Sequence, residues 1–337
     1  MKALLLTSAD GPASAAIQEM ETPSPRAGEV AVALRAASLN HRELWISRGL
    51  YPGMTLPTIL GADGSGVVTA VGEGVDGALI GRETVLYPGL HWGENEAFPS
   101  DRFGLLGMPG PGTITETICV PVENVFTKPA HLTHVQAAAL PVAALTAFRG
   151  LTVKGNVKSG DTVLITGIGG GVATFALIFA KALGARVFVT SGSDTTLEAA
   201  TAHGADGAFN YRDESWGKSL RKTAGAINMV FDGAPASAFA GYGRALAMGA
   251  RVVLYGSTGG PNFTVSAPDL FLRHAAVIGT AMGSPADFGA MLDFISTHKL
   301  EPVIDKCFPF ADAKDALLYL ENGHHFGKVV IEMPGND

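Results

Sequence analysis

Four glycines, Gly167, Gly169, Gly170 and Gly171, form the stretch of this sequence with the clearest chemistry. A turn with so few side chains lets backbone N–H groups approach the phosphates of a ligand, because a Cβ atom would block that approach. The spacing G-x-G-x-x-G is incomplete, since counting from Gly167 places Val172 at the third glycine. An ordinary α/β turn without a ligand therefore stays open as an interpretation of the turn alone.

The elements around this turn predict how it is held. Thr162–Thr166 is a short apolar run with β-branched residues, which is typical of a buried parallel strand. Val172–Leu183 has the composition of a buried helix, and Arg186–Thr190 that of a second strand. Strand, glycine turn, helix and strand form the βαβ unit that receives a dinucleotide pyrophosphate. The uncharged stretch 162–180 is also long enough to span a bilayer, but its adjacent glycines favour the βαβ interpretation.

Composition argues against several classes of partner. The chain has 337 residues, 47% of them hydrophobic and 16% charged, which is typical of about two well-buried domains. A formal charge of −7 without a basic cluster argues against nucleic acid or membrane as the main partner. Cys119 and Cys307 are too few for a disulfide framework, and the N-terminus lacks the pattern of a signal peptide. We therefore expect a reduced, cytoplasmic location and a small-molecule substrate.

Two patterns divide the chain. Residues 1–37 alternate short apolar runs with turn residues, which predicts antiparallel strands, and a loop is expected over 88–112. From Asp161 strands alternate with helices, as in a doubly wound sheet. The strand Lys328–Glu332 is expected to complete the first, β-rich domain. Helices are predicted around Asn40–Arg48, Asp194–His203, Ser215–Thr223 and Ser237–Met248, and after a capping box formed by Thr133 and Gln136.

In chain order, five motifs resemble those of the medium-chain dehydrogenase/reductases, and more closely the zinc-free quinone oxidoreductase-like members. They are ASLNHRELWISRGLYP, LPTILGADGSGVVTAVGEGV, KPAHLTHVQAAALPVAALTAF, GDTVLITGIGGGVATFAL and FGKVVI. The resemblance implies an α/β fold with a GroES-like β-rich catalytic domain, residues 1–123 and 285–337. A Rossmann domain with a doubly wound parallel sheet would occupy residues 124–284, with an active-site cleft where the domains meet. It also implies a homodimer paired through a strand within Phe271–Met282.

Departures from the alcohol dehydrogenase branch of this family predict an enzyme without catalytic zinc. Where the resemblance matches metal ligands, this chain has Asn40, Ala62 and, near the third position, Val142 and Ala143. Catalytic zinc normally needs three protein ligands, and these side chains offer neither thiolate nor imidazole. We interpret the paired histidines as surface residues: His131, His134, His324 and His325.

Without a Lewis acid, we expect hydride transfer to an activated acceptor, a quinone or an α,β-unsaturated carbonyl. Asn40 is the first candidate for hydrogen bonding the developing oxyanion, with helix capping as its structural alternative. Trp45 and Tyr51 match pocket positions of the relatives, and Tyr51 can also donate a proton. Asp63 is either catalytic or a satisfied buried carboxylate. Alcohol or aldehyde interconversion, and nucleotide binding without turnover, stay open as alternatives.

The predicted cofactor is NADPH, with NADH less favoured. Ser191 stands where NAD-specific enzymes carry an acid, and Tyr211 matches a tyrosine that contacts the 2′-phosphate in the quinone-reductase relatives. Asp194 would restore a preference for NAD if it pointed inward, but we expect it to cap the following helix. Further cofactor contacts are implied by the resemblance at His41, Thr146, Gly169, Gly170, Gly171, Val172, Ser193, Gly256, Ser257, Thr258, Thr280, Met282 and Lys328.

Overall fold

The computed structural model describes residues 1–334, and the chain forms two compact units. The first unit is Met1–Ala143 with Ser284–Asp337, and the second is Ala144–Gly283. The β-rich part and the tail therefore belong together, with the strand–helix part forming a unit of its own. The first boundary falls after Ala143, whereas the resemblance placed it near residue 123.

The first unit begins with short strands. In chain order its elements are β1 (Lys2–Leu6), β2 (Ala15–Glu19), β3 (Glu29–Ser38), α1 (His41–Ser47), β4 (Thr58–Ile59), β5 (Asp63–Val71), β6 (Glu83–Leu86), β7 (Gly89–Leu90), β8 (Gly104–Leu105), β9 (Thr117–Pro121), β10 (Val125–Thr127) and α2 (His134–Ala138). The pairing of β1 with β2 is antiparallel, as the alternating pattern predicts. The expected loop 88–112 contains the short pair β7–β8. Thr133 Oγ1 accepts the Gln136 N–H at 3.2 Å and begins α2, so the capping box is confirmed.

Strands and helices alternate from the end of the first unit through the second. They are α3 (Pro141–Arg149), β11 (Thr162–Ile165), α4 (Gly171–Ala182), β12 (Arg186–Ser191), α5 (Asp194–Ala202), β13 (Gly207–Asn210), α6 (Trp216–Ala224), β14 (Ile227–Asp232), α7 (Pro235–Tyr242), β15 (Leu246–Leu254), α8 (Ala267–Phe271) and β16 (Ala276–Gly279). The sheet is parallel, in the order β13-β12-β11-β14-β15-β16. Strand order reverses between β11 and β14, which is the point where such sheets receive a ligand.

These elements test two predictions for the second unit, the membrane span over 162–180 and the helix around Ser237–Met248. The stretch 162–180 divides into β11 and α4, and within residues 1–334 no helix has the length and apolarity needed to cross a bilayer. The helix predicted around Ser237–Met248 is confirmed up to Ala245, where α7 is followed by a 3-10 turn, and is wrong from Leu246 onward. Leu246 already pairs with Ile227 of β14, so the chain enters β15 there.

The tail returns to the first unit as α9 (Pro285–His298), β17 (Ile304–Pro309), α10 (Ala313–Glu321) and β18 (Lys328–Glu332). Antiparallel pairing with β3 places Val330 opposite Ser38, so β18 completes the β-rich sheet as expected. On its other side β3 pairs with β5, where Ser38 lies opposite Asp63. The register of these three strands therefore brings the start of β18, the end of β3 and the start of β5 together.

Candidate active site

A buried carboxylate, that of Asp63, is the centre of a hydrogen-bond network in the first unit. Its Oδ2 accepts hydrogen bonds from Ser38 Oγ at 2.9 Å, Asn40 Nδ2 at 2.9 Å and Lys328 Nζ at 3.0 Å. Its Oδ1 accepts the Val142 N–H at 2.9 Å. These five residues are called the Asp63 network. Asp63 and Lys328 are fully enclosed, whereas Asn40 keeps part of its surface exposed.

The backbone before Asp63 needs glycine. Gly61 has φ +101°, a conformation that residues with a side chain rarely adopt. A Cβ atom at this position would lie 2.6 Å from Thr113 Oγ1. The same hydroxyl donates to the Asp63 carbonyl oxygen at 2.7 Å, so the close approach fixes where β5 begins.

Lys328 fixes the orientation of the Asn40 amide. Its Nζ donates to Asn40 Oδ1 at 2.6 Å, to Asp63 Oδ2 at 3.0 Å and to the Leu39 carbonyl oxygen at 2.8 Å. An ammonium has three hydrogens, so these bonds use all of them, and the predicted cofactor contact of Lys328 stays a prediction. With its oxygen on the ammonium and one Nδ2 hydrogen on the carboxylate, Asn40 has one amide hydrogen left for a ligand.

A buried ion pair on α1 connects Asn40 with Tyr51. Arg42 Nη1 lies 3.0 Å from Glu43 Oε1 and donates to the Leu106 carbonyl oxygen at 2.8 Å. Glu43 Oε2 accepts the Asn40 N–H at 2.7 Å. Burial raises the pKa of Glu43, while the guanidinium of Arg42 lowers it. Because Arg42 Cζ lies 5.0 Å from the centre of the Tyr51 ring, this pair also holds the predicted pocket tyrosine.

The other predicted residues of α1 are more exposed. Trp45 is 46% exposed, and His41 is the first residue of the helix. The His41 ring lies 5.9 Å from that of His325, and burial is the main cause that lowers the pKa of both imidazoles. His325 is half-buried, so the surface prediction holds for it only in part. His131 and His134 are also only partly exposed, and their rings meet Leu300 O and Ser65 Oγ respectively.

The predicted cofactor residues of the second unit follow the carboxyl ends of its strands. Gly169–Val172 follow β11, Ser191 ends β12, Gly256–Thr258 follow β15 and Thr280 follows β16. In a doubly wound sheet, dinucleotides bind outside this edge. The elements thus gather these residues at the edge where the chemistry requires them.

Three features of this edge fit a bound dinucleotide. Gly170 is the N-cap of α4 and supplies no side-chain cap, so the first N–H groups of the helix are available to an anion. A Cβ added at Gly170 would meet no atom within 4 Å, so the turn faces open space. Thr280 Oγ1 is buried and has no hydrogen-bond partner among residues 1–334, whereas buried hydroxyls are normally bonded.

The end of β12 carries a small hydroxyl where an acid would select NAD. Ser191 is buried, and its Oγ accepts the Ser193 N–H at 3.2 Å. The Tyr211 ring packs over Gly192, since a Cβ added there would lie 2.7 Å from the tyrosine oxygen. Tyr211 is 50% exposed and so can meet a ligand at this strand end.

Asp194 does not cap α5 with its side chain, contrary to the prediction. The N-cap is Ser193, whose Oγ accepts the Thr196 N–H at 3.3 Å. Asp194 Oδ1 instead accepts a hydrogen bond from Asn210 Nδ2 at 2.7 Å, because β13 ends beside the start of α5.

Thr146 and Met282, both predicted cofactor residues, contact one another. Thr146 Oγ1 lies 3.9 Å from Met282 Sδ. Met282 has φ +58°, which is uncommon for a bulky side chain and is typical of positions under functional constraint.

Sequence reasoning missed Asp232, a buried carboxylate at the end of β14. It accepts hydrogen bonds from Thr166 Oγ1 at 2.5 Å, the Ala234 N–H at 2.8 Å and Tyr242 Oη at 2.7 Å. Burial, followed by the charge of Asp232, raises the pKa of Tyr242. Because Thr166 directly precedes the glycine turn, Asp232 fixes the entry to that turn. An acid at the end of a predicted parallel strand was the available signal.

The donor set of the first unit does not fit zinc. Within residues 1–334, no group of three or more His, Cys, Asp or Glu side chains is placed to hold a metal ion. Of the positions matched to ligands, Ala62 has no ligating atom, Val142 offers a backbone N–H, and the Asn40 oxygen already accepts from an ammonium. A second cation beside Lys328 would be repelled.

Two family models match the chain, one in each part of the fold. The alcohol dehydrogenase GroES-like domain matches residues 26–130, and the zinc-binding dehydrogenase model matches residues 171–297. The chain belongs to the medium-chain dehydrogenase/reductase superfamily. The predicted family and the predicted fold class are therefore confirmed.

Individual relatives are similar over nearly the whole chain. The zinc-type alcohol dehydrogenase-like protein YogA of Leptosphaeria maculans is 37% identical, over 92% of both proteins. The acryloyl-coenzyme A reductase of Metallosphaera sedula is 30% identical, over 94% of this chain and 95% of its own. A crystal structure of an NAD-dependent alcohol dehydrogenase is 36% identical with a TM-score of 0.93, covering 99% of this chain and 100% of that one. The protein is accordingly an oxidoreductase that uses a nicotinamide nucleotide.

Proposed function

We propose that this protein is an NADPH-dependent, zinc-independent reductase of quinones or α,β-unsaturated carbonyls. The observation that carries the proposal is the Asn40 amide, which replaces a metal ligand and has one hydrogen left after bonding to Asp63 and Lys328. Conjugated acceptors suit such a site, because the charge that develops on their oxygen is already delocalised and needs less stabilisation than a simple carbonyl.

Each residue of the site has its own role in this reaction. The bound nucleotide supplies the hydride. Asn40 Nδ2 donates its remaining hydrogen to the acceptor oxygen, and Tyr51 is the assigned source of a second hydrogen bond or of a proton. Asp63 and Lys328 hold the Asn40 amide in place and are themselves enclosed, away from water. Trp45 contributes apolar surface to the pocket.

The preference for NADPH is supported by the end of β12. Ser191 has no carboxylate that would repel a 2′-phosphate. The Tyr211 ring lies over Gly192, the residue that follows Ser191. Asp194 is bonded to Asn210, which accounts for one of its carboxylate oxygens. NADH is the alternative cofactor, because relatives from Saccharolobus solfataricus and Sulfurisphaera tokodaii are named NAD-dependent alcohol dehydrogenases.

The relatives favour two different acceptors. Acryloyl-coenzyme A, named as the substrate of one relative, is an α,β-unsaturated thioester, and this supports the enone branch. Alcohol dehydrogenase names support the second candidate, alcohol or aldehyde interconversion. A protein that binds NADPH without turnover is the third.

We also propose a homodimer formed through β16. This strand is the last in its sheet and pairs with β15 along one side only. Nearby apolar side chains are exposed, as is usual for a surface that a partner covers: Phe271 at 63%, Leu272 at 62% and Val277 at 37%.

The test is NADPH oxidation with a small quinone and a small enone, using protein whose metal content has been measured and removed by chelation. We expect turnover by metal-free protein, faster with NADPH than with NADH. In N40A we expect kcat to fall about 100-fold or more, the usual cost of losing one oxyanion donor. N228A is the matched control. Asn228 Oδ1 accepts the Thr162 N–H at the amino ends of β11 and β14, whereas the nucleotide is expected at the carboxyl ends of these strands.

Two results would contradict the proposed reaction, and a third would contradict the role of Asn40 in it. Turnover that appears only after zinc is added would support the alcohol dehydrogenase alternative. NADPH binding without oxidation of either acceptor would support the non-catalytic one. An unchanged kcat in N40A would remove Asn40 from the chemistry while leaving the reaction class intact.

A further inference from the structure

The three positions that the resemblance matches to metal ligands all lie around one carboxylate. Asn40 Nδ2 and the Val142 N–H bond directly to Asp63, and Ala62 is its neighbour in the chain. Among residues 1–334, the cation bonded to this carboxylate is the Lys328 ammonium, 3.0 Å away. The site thus has an enclosed positive group at its centre, supplied by the chain itself.

The Asp63–Lys328 pair is a poor source of stability. Both side chains are almost fully buried, at 0% and 3% exposure, and their desolvation offsets most of their attraction. The contacts of this pair indicate that it orients the Asn40 amide instead. The ammonium bonds the oxygen end of the Asn40 amide and the carboxylate bonds its nitrogen end, so a rotation by half a turn would place like ends together.

We propose that Lys328 is a positioning residue that substitutes for the catalytic metal by orienting Asn40. The inference rests on the proposed function, in which the free Asn40 hydrogen meets the acceptor oxygen. A metal would polarise that oxygen directly. The Lys328 ammonium is instead hydrogen-bonded to the Asn40 amide and acts on the acceptor oxygen through it. Lys328 therefore affects kcat through Asn40 and has no direct contact with substrate or cofactor.

The experiment uses two double variants of the full chain. D63N/K328M removes both charges of the pair, so neither is left buried alone and folding is protected. E83Q/K128M is the matched control, because Lys128 is also a buried lysine of the first unit, with Nζ 3.3 Å from Glu83 Oε2. We expect D63N/K328M to lose about 100-fold in kcat, as for a lost oxyanion donor, with an unchanged nucleotide Kd. The control should keep both constants.

A second measurement does not depend on activity. In the ¹⁵N–¹H spectrum of the side-chain amides, the two Asn40 hydrogens should exchange with water at different rates, since one is bonded to Asp63 and the other is free. Asn40→Asp removes and so assigns the signals. In D63N/K328M we expect the two rates to become similar.

The outcomes separate this inference from the proposed function. If the wild-type protein reduces neither acceptor, the function fails, while the exchange rates still test the orientation. If D63N/K328M is folded with normal kcat, Lys328 does not act through Asn40. If the variant instead loses nucleotide affinity at normal kcat, Lys328 is a cofactor ligand and the inference is overturned.

Discussion

Ser191 is the residue on which the proposed cofactor preference depends most directly. A carboxylate at this strand end would keep an acceptor for the Ser193 N–H, which the serine oxygen accepts now at 3.2 Å. It would also lie close to a 2′-phosphate held near Tyr211. Under the proposed function, the choice of cofactor therefore depends on one charge at the end of β12.

We predict that Ser191→Asp reverses the preference toward NADH. Two unit charges ~4 Å apart near a protein surface repel by ~4 kcal/mol, so the ratio of kcat/KM for NADPH over NADH should fall at least about tenfold. Steady-state kinetics with both nucleotides measures the ratio. Asp194→Asn is the control, and its ratio should stay within about twofold because that carboxylate faces Asn210. An unchanged ratio in Ser191→Asp would place the selection elsewhere.

At the scale of elements, β16 is an edge strand of its sheet and pairs with β15 along one side. Edge strands with exposed apolar residues pair with other chains unless charge or a covering element prevents it. Val277 lies within this strand, and Phe271 and Leu272 precede it at the end of α8. The proposed homodimer would extend the parallel sheet by pairing β16 with its copy.

Val277→Lys should therefore give a monomer. A lysine on an edge strand opposes pairing, because the charge would be buried in the new interface. Light scattering after size exclusion measures the molar mass, and circular dichroism checks the fold. Val153→Lys is the control, since Val153 is 50% exposed on the segment Gly150–Lys154 and lies outside β16. A wild-type monomer, or a dimer that survives Val277→Lys, would contradict the pairing.

Local patterns in the sequence were enough for the βαβ unit around Gly169, since β11, the turn, α4 and β12 follow one another directly. The Asp63 network was out of reach, because Lys328 is separated from Asp63 by 265 residues and meets it only through the register of β3 with β5 and β18. The helix prediction around Ser237–Met248 is wrong at its last three residues for a related reason. An apolar run suits helix or buried strand alike, and pairing with β14 decided in favour of β15 from Leu246 onward.

At the scale of the whole molecule, three histidines of the first unit are expected to make stability depend on pH. Burial is the largest cause that lowers the pKa of His41, His134 and His325 below the ordinary value of 6.5. Lys328 lowers the first and third further, whereas Glu83 and Asp305 act in the opposite direction on His134 and His325. All three lie in the first unit.

The direction in which stability changes with pH follows from proton uptake by the unfolded chain. A histidine whose pKa is lowered in the folded chain binds its proton more readily when unfolded, so its contribution to stability is present above pH 6.5 and is lost as the pH falls through that value. Each additional proton bound by the unfolded chain costs up to about 1.4 kcal/mol per pH unit. Glu43 opposes this trend, because its raised pKa lets the folded chain take up a proton.

We therefore predict that the urea midpoint of the first unit falls between pH 7.5 and pH 5.5, and that H41Q/H134Q/H325Q reduces this fall. Unfolding followed by circular dichroism measures the midpoints, and His324→Gln, at an exposed histidine, is the control. If the two units unfold in separate transitions, the shift belongs to the first, because the second contains none of these three groups. A midpoint that rises on acidification would mean that Glu43 outweighs the histidines, and equal shifts in wild type and triple variant would remove them as the cause.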